Sequence, residues 1–131
     1  VSTSVKSDFI FVDSMRNVNP RLAGAVQIPV LSHLQVAEDT LQAGLQEEAT
    51  WALSVLSDVN PEMVVCNYLM RPFLEPLLQE RLHCASRAES LGTESFIALD
   101  YAFKNLEKGQ SCAIVSAGVG SCSTIVLFRK E

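Results

Sequence analysis

Apolar positions change their spacing along this chain, and the changes divide it into elements. Phe9-Ile10-Phe11-Val12, bounded by Asp8 and Asp13, is a short apolar run that predicts a strand. Asn17-Val18-Asn19-Pro20 is turn chemistry. Residues 22–37 carry no formal charge, and Pro29 breaks any helix there, so residues 25–31 read as extended, as an edge strand. From Val36 to Leu56 the spacing becomes helical: Leu41, Leu45, Ala49, Ala52, Leu53 and Leu56 recur at threes and fours. Glu38, Asp39, Glu47 and Glu48 read as the solvated side of that helix. Asp58-Val59-Asn60-Pro61 ends it, and Met63-Val64-Val65-Cys66 follows as a buried strand.

A second helix lies within residues 69–82, with Met70, Phe73, Leu74, Leu77, Leu78 and Leu82 on its apolar side. Pro72 and Pro76 delay its regular start, because proline is tolerated in the first turn and costs about 3 kcal/mol in a helix interior. Residues 84–90 are a further candidate strand. A third helix carries Ser95, Leu99, Ala102, Phe103 and Leu106 on one face, with Lys108-Gly109 as its stop. Residues 111–116 and 123–128 are strands joined by Ala117-Gly118-Val119-Gly120, a connection short enough to make the pair antiparallel. The predicted class is α/β: strand, strand, helix, strand, helix, strand, helix, strand, strand, in a mixed sheet packed with helices. The chain reads as a single domain over 1–131, with an irregular strand-bearing segment at 1–35.

Composition narrows the function classes. Of 131 residues, 48% are apolar and 19% charged, which excludes a disordered or low-complexity chain. Ten Lys and Arg against 15 Asp and Glu leave a net charge of −5, and no basic cluster occurs, which argues against nucleic acid and anionic membranes as partners. Residues 109–128 contain no charged residue, the pattern of a membrane span. Gln110, four serines, Thr124 and two central glycines make them two strands and not a membrane span. The chain starts at Val1, and no charged stretch followed by an apolar one suggests a signal peptide.

Cys66, Cys84, Cys112 and Cys122 form no CxxC pair, and His33 and His83 are not at metal-ligand spacing, so no metal site is expected. The cysteines read as reduced, which fits a cytoplasmic location. Cys112 and Cys122 read as core packing, His33 as structural, and His83 as a helix-end residue. His83-Cys84 makes a poor base–nucleophile pair, since neighbours on an extended chain point to opposite faces. Asn67 follows a buried strand, where α/β sheets place ligands; it reads either as a polar group facing a ligand or as a residue turning the chain. Gly118 and Gly120 read either as a ligand-facing loop or as a tight turn.

Three local matches, in order, resemble the C-terminal half of thiolase-fold condensing enzymes, in particular β-ketoacyl-acyl-carrier-protein synthase III. Val64-Val65-Cys66-Asn67 runs into Phe73-Leu74-Glu75 where the family has a strand ending in Pro-His-Gln-Ala-Asn and then a helix. Ser90-Leu91-Gly92-Thr93 opens a helix where the family has Tyr-Gly-Asn-Thr. Lys108-Gly109-Gln110 and Cys112–Gly120 stand where the family has Pro-Gly-Asp, an apolar strand and a Gly-x-Gly loop. On this resemblance residues 36–131 form a thiolase-like C-terminal half.

The resemblance implies acyl transfer from an acyl thioester, on coenzyme A or acyl carrier protein, with no further cofactor. The nucleophilic Cys would come from an N-terminal half or a second condensing-enzyme chain. The family His falls on Asn67 and the family Asn on Thr93, and neither replacement is a general base near neutral pH. Asn67 and Thr93 are the candidate catalytic positions, and Gly118, Val119 and Gly120 the candidate oxyanion or ligand loop. The two other readings are a non-catalytic partner that scaffolds an active synthase, and an independent small α/β binding module. The uncharged segments 22–37 and 109–128 predict an oligomer through a sheet edge or central strand.

Overall fold

A computed structural model describes residues 9–20, 26–30, 33–84, 94–117 and 122–131. The elements are β1 (Phe9–Val18), β2 (Val26–Val30), β3 (His33–Val36), α1 (Glu38–Val59), β4 (Met63–Cys66), α2 (Arg71–Leu78), β5 (Leu82–Cys84), α3 (Glu94–Asn105), β6 (Ser111–Ala117) and β7 (Cys122–Lys130). Five strands form one mixed sheet in the order β1-β7-β6-β4-β5. Strands β4, β5 and β6 are parallel, and β7 lies antiparallel between β6 and β1. The antiparallel closing pair and the α/β class follow the sequence pattern.

Several boundaries differ, each for a physical reason. β1 runs through the expected turn to Val18, with a register shift between Phe11 and Asp13. The turn-forming Asn17 and Asn19 instead hold the strand end to α1. Asn17 Nδ2 donates to both carboxylate oxygens of Glu48 at 3.1 Å, and Asn19 Nδ2 donates to Glu47 Oε2 at 2.9 Å. Glu48 is therefore 0% exposed and does not belong to the solvated side of α1. β2 is no edge of the main sheet: it pairs with β3, a strand the apolar spacing did not suggest, in a separate hairpin. Of the candidate strand at 84–90 only its first residue is confirmed, since β5 ends at Cys84 and residues 85–90 lie outside the described residues.

The helix ends are set by local chemistry. α1 stops at Asn60, which takes the left-handed conformation (φ 45°) and donates its N–H to Leu56 O. Pro72 sits in the first turn of α2, where its missing N–H leaves nothing unpaired. Pro76 lies inside the helix, which ends two residues later. α3 ends before Lys108-Gly109. Gly109 (φ 87°) instead forms the turn into β6 and donates its N–H to Lys130 O at 2.7 Å.

Strand alternation divides the core between the two faces of the sheet. Val64 and Cys66, Ala113, Val115 and Ala117, and Ile125 and Leu127 face one way, against Leu41, Leu45, Ala49, Ala52 and Leu56 of α1 and Leu74 and Leu78 of α2. Met63 and Val65, Cys112 and Ile114 face the other way, against Ala102 and Leu106 of α3. β6 and β7 are thus interior strands of the sheet. β6 is buried along most of its length.

Candidate functional site

The parallel strands β4 and β5 end side by side, with Cys66 level with Cys84. In such sheets the carboxyl ends of the strands face ligands. Asn67, the first residue after β4, stands there in extended conformation (φ −75°, ψ 163°). Its backbone N–H donates to Val115 O at 3.2 Å, which extends the β4–β6 ladder by one rung. Its side chain continues the same ladder. Nδ2 donates to Ala117 O at 2.8 Å, and Oδ1 accepts from Ala117 N–H at 3.3 Å. Both polar atoms of the amide are therefore engaged by one backbone residue. No side-chain cap is made to the short 3₁₀ turn Tyr68–Met70 that follows.

This arrangement fixes where the chain leaves β6. Ala117 is the last residue before the segment that carries Gly118, Val119 and Gly120. Those three residues, and Thr93, lie outside the described residues. Of the residues singled out by sequence, the structure places only Asn67, and it places it as a clamp between two strand ends. An amide can also mimic the backbone in this way; the sequence signal was the Asn directly after a buried strand.

Two hollows flank this end of the sheet. One, of about 390 Å³, lies between α1 and the turn leading into α2, and Leu41, Leu45, Tyr68, Leu69, Pro72 and Phe73 line its apolar part. The other, of about 290 Å³, wraps the outer edge of β5 between Arg71 and Glu75 on one side and His83 and Tyr101 on the other. His83 belongs to β5 and not to a helix end, because residues 79–81 close the helical stretch before it. Its Nδ1 lies 2.9 Å from the Tyr101 hydroxyl, and the two rings lie tilted with centroids 4.9 Å apart. Sequence reasoning missed this pair, since 18 residues separate its members.

The thiols differ in their surroundings. Burial pushes the Cys112 thiol up to about 12, so it is inert packing at neutral pH. Arg71 is held above its ordinary value first by the hydrogen bond and charge of Glu75, against slight desolvation, and to a smaller degree by the Cys84 and Cys66 sulfurs.

No protein-family model and no curated protein sequence matches the chain. Solved structures do. The 3-oxoacyl-[acyl-carrier-protein] synthase III of Aquifex aeolicus superposes with a TM-score of 0.72 at 13% identity, over 97% of this chain and 46% of that one. The corresponding synthase III of Thermus thermophilus gives 0.69 at 14% identity, over 98% and 48%. OleA of Xanthomonas campestris gives 0.68 at 12% identity, over 92% and 39%. This chain therefore spans about half the length of the structures it resembles. Its fold is that of one half of a thiolase-type, synthase III-like protein.

Proposed function

We propose that the chain is the C-terminal half of a synthase III-like assembly acting on acyl thioesters, and that it shapes the site without supplying its acid–base chemistry. The observation that carries this reading is the Asn67 amide. By the sequence resemblance it falls on the family His, and both of its polar atoms are bound to Ala117. A group so engaged neither takes up a proton nor turns toward a substrate carbonyl without breaking two hydrogen bonds. Its work is to hold the ends of β4 and β6 in register, and with them the start of the glycine loop.

A second half supplying the Cys nucleophile has a surface to cover. α3 packs over β4 and β6, while the same face of β1 and β7 carries Phe11 at 57% and Val18 at 55% exposure. Phe11 meets Phe128 edge to face, at 6.2 Å between ring centroids, and the two rings form an apolar patch that Ser14 and Arg16 separate from Val18. Apolar patches of this kind mark interfaces. The acyl carrier, coenzyme A or acyl carrier protein, would be met by the assembled halves.

The test is Asn67→Ala in the complete, two-half protein, with acyl transfer to the Cys-bearing half followed by mass spectrometry. The expected result is a lower melting temperature with acyl transfer within a few-fold of the parent at low temperature. A loss of transfer of about a hundredfold or more, with the fold intact, is the scale of a removed acid–base group and would overturn the reading.

A further inference from the structure

We propose that Cys66 and Cys84 form an oxidisable dithiol pair, in which a hydroperoxide converts the two thiols to a disulfide that staples β4 to β5. This goes beyond the acyl-transfer reading and does not depend on it. The two cysteines are register partners on adjacent parallel strands. Register partners in a parallel pair point to the same face, and both residues pack on the α1–α2 side of the sheet. Neighbouring strands lie about 4.8 Å apart. A disulfide spans roughly 4.4–6.8 Å between Cα atoms, so the bond needs no strand to move far. Both are thiols in the structure.

Their exposures assign the roles. Cys84 is half-buried and lines the hollow at the outer edge of β5, open to a small oxidant. Cys66 is 2% exposed. Arg71 and Glu75 line the same hollow. The Cys84 thiolate attacks one oxygen of the peroxide. The O–O bond breaks, Cys84 becomes a sulfenic acid, and the second oxygen leaves as hydroxide, which takes up the thiol proton as water. The Cys66 sulfur then attacks the Cys84 sulfur, displacing the sulfenic oxygen as a second water with the Cys66 proton. Two thiols are oxidised, and one peroxide is reduced to two waters. The bond would join the strand ends just before Asn67 and before segment 85–93, which carries Thr93.

The experiment treats the reduced full chain with hydrogen peroxide, alkylates what remains under denaturing conditions, and maps the peptides. The expected product has lost about 2 Da, keeps two of its four alkylatable cysteines, and yields a peptide linking Cys66 to Cys84. Cys66→Ser, or Cys66→Ala where the serine variant does not fold, should stop at a Cys84 sulfenic acid trapped by dimedone. A link through Cys112 or Cys122, or a wild-type Cys84 that goes to sulfenic or higher acids with Cys66 still alkylatable, would overturn the proposal.

Discussion

The two faces of the central sheet are built to different degrees of completion. On one, α1 and α2 together cover the sheet, and Leu45, Ala49, Leu56 and Leu74 are at most 1% exposed. On the other, among the described residues, the 12-residue helix α3 covers β4 and β6, while Phe11 and Val18 of β1 are more than half exposed. The first face is a core in its own right. The second resembles the inner face of a larger particle, which agrees with a chain spanning about half of the structures it matches. A sheet of this class is ordinarily covered on both sides, which fits the proposal that a second half covers the Phe11 side.

Substitutions on the two faces should separate most sharply. Leu45→Ala in the covered core should cost about 2–5 kcal/mol of unfolding free energy, the usual price of an unfilled buried leucine site. Phe11→Ala on the other face should change the stability of the chain alone by less than about 1 kcal/mol, yet weaken assembly with a second half strongly. Chemical denaturation of the chain alone and titration with the second half distinguish the two. Equal costs in the chain alone would erase the contrast between the faces.

Glu48 sharpens the comparison at the seam between β1 and α1. Glu48→Ala removes the acceptor of both Asn17 contacts and should destabilise by about 1–3 kcal/mol, whereas Glu48→Gln keeps an acceptor of the same shape and should cost less than about 1 kcal/mol. Parallel urea titrations of the two variants make the check. Gly109→Ala tests the turn into β6. At φ 87° with no neighbour in its way, the added Cβ meets only backbone strain, of about 1 kcal/mol.

The smallest effect is a pH dependence. Glu62 accepts from Ser111 N–H at 2.6 Å and from Ser111 Oγ at 3.0 Å. The backbone contact, above all, holds its carboxyl below the ordinary value of 4.5. A depressed carboxyl stabilises the fold above its unfolded value and loses that contribution as pH falls through the folded one. Stability should therefore decline as pH drops below about 4.5, modestly because the group is solvent-exposed, and Glu62→Gln should flatten this part of the profile. An unchanged acid limb in the variant would remove Glu62 from the account.

The sequence was informative where a pattern is local. The helical spacing of Leu41 to Leu56, the apolar run 63–66 and the paired strands 111–116 and 123–128 announce their elements, because burial on one stripe or one face imposes a period. Long-range partners were not legible. Nothing near Glu48 in the chain shows that Asn17, 31 residues away, will bury it. The continuation of β1 through Asn17 depends on that same contact, so turn propensity lost to tertiary structure there. Asn67 stood out by its place after β4, but its partner, Ala117, is 50 residues on, and only the register of β4 against β6 reveals that the amide is already engaged.

The central claim is that one face of this half awaits another half. Native mass spectrometry of the protein purified untagged from its source tests it most directly. The account predicts the chain joined to a second thiolase-type half, within one longer polypeptide or as a complex, with an acylatable Cys in that half. A stable, lone 14.3 kDa monomer that exposes the Phe11 patch to solvent would contradict it.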